Sequence, residues 1–315
     1  MKKFIGYFKE FHKGYYHPIL YLPVFLFIAF LIVFNYKFDF EDSYIDHYYG
    51  RAIRILFYFL YHALAFYGVL LIIWMHDKTN IKFSWQFWLK SIIGLAILGT
   101  DRAIFPFISK IVLDGVPSTL YRFYFKILFN SYGLVTITLM LLIVKLIFDR
   151  KSNEGLYGLQ FRKVDFKAYW LMLLGMVPII YLATLLPDIQ SYYPTYKRVG
   201  GAGFANYYRV KEGVSIVFYE SVYLVDFLNT EIFFRGFLII GLSKLMGKNV
   251  VLPMVATYAV LHFGKPMGET ISSVFGGYIL GVIALYSRNI WGGVFLHGGI
   301  ALLMELFAFL RSSLN

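Results

Sequence analysis

The segment TEIFFRGF (residues 230–237) places an acid and a base in a stretch of sequence that is otherwise apolar. Glu231 and Arg235 are four residues apart, so on a helix they lie on one face and can form an ion pair. An ionisable side chain inside a bilayer costs about 2.5 kcal/mol or more, and such residues usually face the interior of a helix bundle and have a function there. The alternative for these two residues is a structural ion pair that ties helices together.

The composition is that of a membrane protein. Of 315 residues, 59% are hydrophobic and 15% are charged, whereas soluble domains have about half apolar and about a quarter charged residues. The apolar residues form runs long enough to cross a hydrocarbon core, which takes about 20 helical residues. We therefore expect an all-α, polytopic membrane bundle of about eight or nine transmembrane helices, at roughly 17–36, 52–75, 87–108, 122–148, 168–187, 213–240, 248–263, 268–287 and 290–311.

The distribution of basic residues indicates how the helices are oriented in the membrane and does not indicate nucleic-acid binding. The formal net charge is +12, but the basic residues lie between apolar runs and not on one soluble module. The first loop (residues 37–50) is acidic and suits the outer face, whereas the strongly basic loop 149–167 suits the cytoplasmic face. There are no cysteines, so disulfides, thiolate metal sites and cysteine nucleophiles are excluded.

The sequence has an N-terminal part of apolar helices and a C-terminal part that contains the candidate functional residues. We expect residues 1–150 to form N-terminal transmembrane helices without catalytic groups, and residues 151–315 to form the functional core. The longest interruption of the apolar pattern, residues 188–212, contains Pro194 and several glycines. It is predicted to be a flexible loop outside the bilayer.

Two histidines in the C-terminal part accompany the acid and the base. In HFGKPMGE (residues 262–269) the glycine and the proline should end a helix, which puts His262 at the helix end and Lys265 and Glu269 beside a turn. A lone histidine on an apolar helix is more often a hydrogen-bonded core residue than a ligand. A second histidine in the same part of the chain, His297, favours a functional role over a purely structural one.

His297 lies in WGGVFLHGGIALLMELF (residues 291–307), where glycines on both sides allow close helix approach. Glu305 follows it by eight residues on roughly the same helical face, and Glu220 precedes Glu231 by eleven. Two histidines and a glutamate from different helices are the groups of a water-activating site. The carboxylate acts as general base, and the imidazoles hold a metal or stabilise the oxyanion.

These residues, in this order, resemble the CPBP family (CAAX protease and bacteriocin-processing) of intramembrane proteases, over roughly residues 155–311. The first family motif is a Glu-Glu pair followed by three residues, Arg and usually Gly. Here Glu231 matches the second Glu, Arg235 the Arg and Gly236 the Gly. The position of the first Glu, which the family's prenyl proteases use to activate water, is Thr230.

The other two family motifs match in part. An aromatic residue followed four positions later by His matches Tyr258 and His262, and a His followed four positions later by Asn matches His297 but meets Ala301. The resemblance implies an endopeptidase that hydrolyses a peptide bond in or near the membrane. The departures at Thr230 and Ala301 mean that the chemistry has been either rearranged or lost.

Under the first hypothesis, Glu231 is the base, Arg235 orients it, and His262 and His297 bind the water or a divalent metal such as zinc. The remaining polar residues that we expect to line the cavity are Glu220, Lys265, Glu269 and Glu305. We expect membrane lipid and a membrane-associated peptide or protein substrate as partners, and no nucleic acid. The expected location is the bacterial inner membrane.

Two other hypotheses remain open from the sequence. The second is a catalytically inactive relative that binds or scaffolds a partner helix or protein complex, supported by Thr230 and Ala301. The third is a small-solute transporter, because acids and bases at membrane depth also occur in proton relays. The third ranks last, since the chain has no paired broken-helix halves of the kind that inverted repeats leave.

Overall fold

The computed structural model describes residues 1–13, 15, 17–77, 83–160 and 164–312. Residues 161–163 of the basic loop predicted above lie outside these ranges. The described residues form helices, with no β-strand beyond an isolated bridge between Leu156 and Leu159. The α-helices are α1 (Lys2–His12), α2 (Pro18–Phe38), α3 (Ile53–His76), α4 (Trp85–Val112), α5 (Ser118–Ser131), α6 (Met140–Phe148), α7 (Phe166–Ala183), α8 (Pro187–Tyr192), α9 (Thr195–Arg198), α10 (Gly201–Tyr208), α11 (Glu212–Glu231), α12 (Ser243–Met246), α13 (Val251–Leu261), α14 (Met267–Ser287) and α15 (Trp291–Ser312).

Shorter helical turns of other kinds connect some of these helices. Three are π-helices, in which backbone hydrogen bonds join residues five apart and which occur frequently at functional sites. The longest of them, Ile232–Gly241, follows α11 directly and contains Arg235. The π-helical segments are Glu41–Ile45, Leu134–Leu139 and Ile232–Gly241, and the 3-10 segments are Asp46–Tyr48 and Gly247–Val250.

Among the described residues, eight helical segments are long and apolar enough to cross a membrane. This confirms the predicted polytopic all-α bundle. One of the segments, Glu212–Leu261, has 50 residues, far more than the approximately 20 that a bilayer requires. The segment is interrupted at Gly247, where φ is 56°. It therefore contains two helical parts joined by a turn.

Helix α2 shows how these segments suit a lipid environment. Its inward face is closely packed, since Val24 is fully buried and Ile28 is 2% exposed. Its other face leaves Leu22, Leu26 and Phe30 at least 60% exposed, at intervals of four residues. A helix that is apolar on all sides has no stable place at a water-exposed surface, whereas hydrocarbon solvates it readily.

The chain forms two compact units. The first comprises Met1–Ile104, Thr136–Arg162 and Glu231–Ile290. At its centre lies α13, in which ten of the eleven residues are buried, packed against α3 and α14. Since the first unit draws on both halves of the sequence, the N-terminal helices contribute directly to the packing around the C-terminal motifs.

A buried polar cluster beside the acidic loop 37–50 ties three N-terminal segments of the first unit together. The Glu41 carboxylate, 3% exposed, accepts hydrogen bonds from Arg102 at 2.8 Å and from the Tyr58 hydroxyl at 2.9 Å. The Glu41 amide donates to the Asn35 side chain at 3.0 Å. Burial raises the pKa of the Glu41 carboxyl above its ordinary value, and the Arg102 charge acts in the opposite direction.

A second buried pair anchors the basic segment that follows α6. Lys90 is 3% exposed and contacts Asp149 at 2.7 Å. Its ammonium group also donates to the Gly241 carbonyl at 3.0 Å, at the end of the π-helix. The Tyr157 hydroxyl donates to the same Asp149 oxygen at 2.8 Å. Lys90 therefore holds both the 149–160 segment and the carbonyl end of the π-helix.

The second unit comprises Phe105–Val135, Lys163–Thr230 and Trp291–Asn315. Within it α15 packs along α7, and glycines make this approach close. A Cβ atom added to Gly292 would overlap the Tyr169 ring, and one added to Gly299 would lie 2.8 Å from Leu173. The predicted role of these glycines is confirmed.

The prediction of a flexible loop at 188–212 is wrong. This region forms α8, α9 and α10, because its apolar and aromatic side chains are buried in the second unit. Ile189 and Tyr193 pack against Ile180 and Met304, and Tyr196 packs with Phe123 and Tyr219. The polar and glycine-rich composition of the segment concealed these anchors.

Replacement of Lys90 tests the buried anchor. We expect Lys90→Met to lower the free energy of unfolding by about 3 kcal/mol, because removing one partner of a buried ion pair leaves the other charge uncompensated. Thermal unfolding of the purified protein in detergent measures this. Lys37→Met, which removes an exposed charge at the end of α2, should change stability by at most about 0.5 kcal/mol. Equal effects of the two substitutions would contradict the role of Lys90.

Candidate active site

The acid and the base of the opening segment form a buried ion pair. Glu231 is the last residue of α11, and Arg235 lies on the first turn of the π-helix. The Glu231 Oε1 and Arg235 NH1 atoms are 3.0 Å apart, with side chains 0% and 1% exposed. The predicted pairing across four residues is confirmed. Gly236 permits the backbone of Tyr157 to approach, since a Cβ atom there would lie 3.0 Å from the Tyr157 carbonyl oxygen.

Arg235 also contacts the ring of Tyr258, the aromatic residue of the second motif. The guanidinium carbon lies 4.1 Å from the centre of the Tyr258 ring, a cation–π geometry that is strongest when both groups are desolvated. Removing both charges of an ion pair from water is energetically costly, so this arrangement is not one that stability alone would favour.

His262 stands at the end of α13, as predicted. The helix ends at Leu261, Gly264 adopts φ of 77°, and α14 begins directly after Pro266. The His262 Nδ1 atom lies 2.9 Å from the Tyr258 carbonyl oxygen. Because a carbonyl oxygen only accepts hydrogen bonds, Nδ1 carries a proton and donates to it. With Nδ1 protonated, the neutral form of the ring has its lone pair on Nε2.

A hydroxyl network holds the turn after His262. Thr270, fully buried, donates from its hydroxyl to the His262 carbonyl oxygen at 2.9 Å. The Tyr36 hydroxyl, from α2, lies 2.7 Å from both the Lys265 carbonyl oxygen and the Thr270 hydroxyl. Sequence reasoning missed Tyr36 and Thr270, because the contact with Tyr36 joins positions more than 220 residues apart and no motif marks either one.

Lys265 and Glu269, expected beside the turn, flank it. Their charged atoms are 3.9 Å apart and their side chains are 31% and 18% exposed. This exposure makes the pair a weak electrostatic contact. The first unit thus brings together Glu231, Arg235 and His262 through Tyr258, with Lys265 and Glu269 at the adjoining turn.

His297, Glu220 and Glu305 belong to the second unit. The His297 ring contacts the Phe227 ring edge-on, with centres 4.6 Å apart. Next to it, Gly298 accommodates Leu224 of α11, since a Cβ atom there would lie 2.7 Å from that side chain. Close packing of α15 against α11 therefore fixes the position of His297 within this unit.

Glu305 has a structural reason for its burial. Its carboxylate, 4% exposed, accepts hydrogen bonds from the Thr195 amide at 2.9 Å and from the Thr195 hydroxyl. The Tyr219 hydroxyl donates to the Thr195 hydroxyl at 3.0 Å. Glu220 on α11 is half-buried. Ala301, at the position of the family's Asn, is 6% exposed in an apolar cluster with Tyr223 and Phe227.

The donor set for a metal is small. The described residues contain no group of three or more His, Cys, Asp or Glu side chains placed to hold a metal ion. Zinc in proteins usually takes three or four such ligands. Binding of zinc by His262 and His297 therefore stays a prediction from the sequence.

Comparison with protein families identifies the motif-bearing region. Residues 213–303 match the family model of Rce1-like proteins, described as type II CAAX prenyl endopeptidase Rce1-like. The match confirms the family resemblance and contains Glu231, Arg235, His262 and His297. Comparisons with curated proteins and with solved structures gave no match. Together with the apolar helices, the family match identifies an integral membrane protein.

The hydroxyl network can be tested by removing the Thr270 hydroxyl. We expect Thr270→Val to lower the free energy of unfolding by about 0.5–1.5 kcal/mol, because the His262 carbonyl then keeps only the Lys265 amide as a donor and the Tyr36 hydroxyl loses one of its two partners. Hydrogen exchange of residues 262–266, followed by mass spectrometry, should become faster. Thr257→Val is the matched control, since Thr257 is equally buried but donates only to Pro253 in its own helix. If exchange at 262–266 were unchanged in Thr270→Val, the network would not hold the turn.

Proposed function

We propose that this integral membrane protein is an intramembrane endopeptidase of the CAAX-protease type, with Glu231 as the base that activates water. The observation that carries the proposal is the fully buried Glu231–Arg235 pair, linked through Tyr258 to His262. This constellation lies inside the segment that matches the family model. It supplies a carboxylate and an imidazole lone pair in apolar surroundings.

The proposed reaction is hydrolysis of a peptide bond. Glu231 takes a proton from water, whose oxygen attacks the carbonyl carbon of the substrate. The tetrahedral intermediate then collapses, the C–N bond breaks, and the proton passes from Glu231 to the leaving amine. Arg235 orients Glu231 through the 3.0 Å ion pair, which makes it a positioning residue.

The histidines have complementary roles in this proposal. His262, protonated on Nδ1, accepts a hydrogen bond from the attacking water at Nε2. His297, which matches the third family motif, donates to the developing oxyanion where other family members also have an Asn. The role of His297 rests on motif order. Zinc remains a sequence prediction.

The substrate class follows from the family description. We propose a membrane-associated peptide or protein, cleaved near a lipid-modified C-terminus, in a bacterial inner membrane. The apolar surroundings of Glu231 suit a substrate that arrives from the bilayer. Lys265 and Glu269 at the turn, and Glu220 on α11, are proposed to contact its polar backbone.

A second candidate function is that of an inactive relative that binds a partner helix or a protein complex. Thr230 and Ala301 favour it. Ala301 in particular lies in an apolar cluster, where no hydrogen-bond donor for an oxyanion is present at that position. Under this reading the Glu231–Arg235 pair contributes to partner binding rather than to hydrolysis.

Site-directed variants of the reconstituted protein separate the two functions. With prenylated C-terminal CAAX peptides as substrates, we expect Glu231→Gln and His297→Ala to reduce cleavage by about 100-fold or more, as loss of a general acid–base group does. Glu212→Gln removes an exposed carboxylate at the start of α11 and should cleave like the parent protein. Undiminished cleavage by both site variants would rule out the assignment. A parent protein that cleaves no peptide but retains a partner in a Glu231-dependent manner would favour the second candidate.

A further inference from the structure

A pocket in the first unit has cationic walls and shares no residue with the candidate active site. Its volume is about 350 Å³. It lies where two helices end, the π-helix at Gly241 and α14 at Ser287. None of its lining residues is acidic, and three are basic. They are Ser243, Lys244, Gly247, Lys248, Leu285, Tyr286 and Arg288.

The pocket keeps a net positive charge when the two nearby carboxylates, Glu154 and Glu10, are counted against its three cations. The Arg288 guanidinium contacts Glu154 at 2.6 Å and donates to the Ser243 hydroxyl at 2.6 Å. Lys244 is 49% exposed and lies 3.8 Å from the same carboxylate. One carboxylate therefore faces two of the cations, and Lys248 adds a third charge. These contacts also fix the position of Arg288 in the wall.

Lys248 joins the pocket to the amphipathic helix α1. Its ammonium group donates to the Glu10 carbonyl oxygen at 2.7 Å, at the carbonyl end of α1, where a cation is favourable. On the other wall, the Tyr7 ring of α1 stacks on the Tyr286 ring at 5.4 Å. Helix α1 buries Phe4 and Phe11 and exposes three lysines, which is the pattern of a helix that lies in a membrane interface.

The position of the pocket favours a membrane ligand. Helix α14, which ends beside it, is long and apolar enough to span the bilayer, so the pocket lies near the level of the lipid headgroups. The ion pair of Arg288 with Glu154 places the pocket beside the basic segment that follows α6. The pocket therefore lies on the membrane face that has the excess of positive charge. This is the face that the positive-inside rule assigns to the cytoplasm.

We propose that this pocket binds the phosphate of an anionic membrane lipid. Lysine binds phosphate as a point charge, and basic pockets between membrane helices on the cytoplasmic side hold anionic headgroups. Leu285 and Tyr286 supply an apolar wall and an interfacial aromatic ring, which suit the glycerol and upper acyl carbons. A free phosphate ion would use only the cations, whereas a lipid uses both kinds of wall.

Lipid binding to the purified full-length protein tests the proposal. Phosphatidylglycerol should raise the thermal unfolding midpoint in detergent more than phosphatidylcholine does, and native mass spectrometry should show it bound. We expect Lys244→Gln to weaken phosphatidylglycerol binding about fivefold, the factor contributed by one basic residue near an anionic surface. Lys248→Gln should weaken it similarly. Lys151→Gln, which removes an exposed charge from the 149–160 segment outside the pocket, should have little effect.

Two results would overturn the proposal. An equal loss of binding in Lys151→Gln and Lys244→Gln would show that diffuse surface charge attracts the lipid. Stabilisation by inorganic phosphate alone, with no preference among lipids, would assign the pocket to a free anion. Lys244→Gln is the main test variant because the half-exposed Lys244 side chain does not contact α1. This variant should fold normally even if Lys248→Gln loosens that helix.

Discussion

The function proposed for the C-terminal motifs depends on one buried ion pair, Glu231 with Arg235. Both side chains are removed from solvent, and removing two charges from water costs several kcal/mol per ion before their attraction compensates for it. An apolar pair of similar volume would satisfy the packing at less cost. The cost makes sense where a carboxylate is needed in apolar surroundings to act as the base that activates water.

The surroundings of the pair follow from this constraint. Tyr258 covers the guanidinium with its ring and orients His262 through its carbonyl oxygen, so one residue positions two motifs. Tyr36 and Thr270 then hold the turn that ends α13. The N-terminal helices are therefore more than a generic membrane anchor, because α2 contributes a hydroxyl to the packing around the candidate site.

Local patterns in the sequence predicted local features well. The four-residue spacing of Glu231 and Arg235 predicted their pairing, and the glycine and proline after His262 predicted the helix end. Features that depend on distant contacts were not predictable. The π-helical pitch after Glu231 and the role of Tyr36 have no signature of their own, and the burial of Tyr193 and Tyr196, which orders 188–212, depends on helices far away in the chain. The hydrogen bonds from Thr195 to Glu305, which is predicted to line the cavity, likewise join distant positions that the sequence does not mark.

The Glu231–Arg235 pair is proposed to serve chemistry rather than stability. The most direct test is the free energy of unfolding of a double variant, Glu231→Met with Arg235→Met, measured in detergent. We expect stability to stay the same or to rise by up to about 4 kcal/mol, because apolar residues of similar volume replace a costly buried pair. A loss of about 3 kcal/mol or more would contradict it, since the pair would then be a structural element of the bundle.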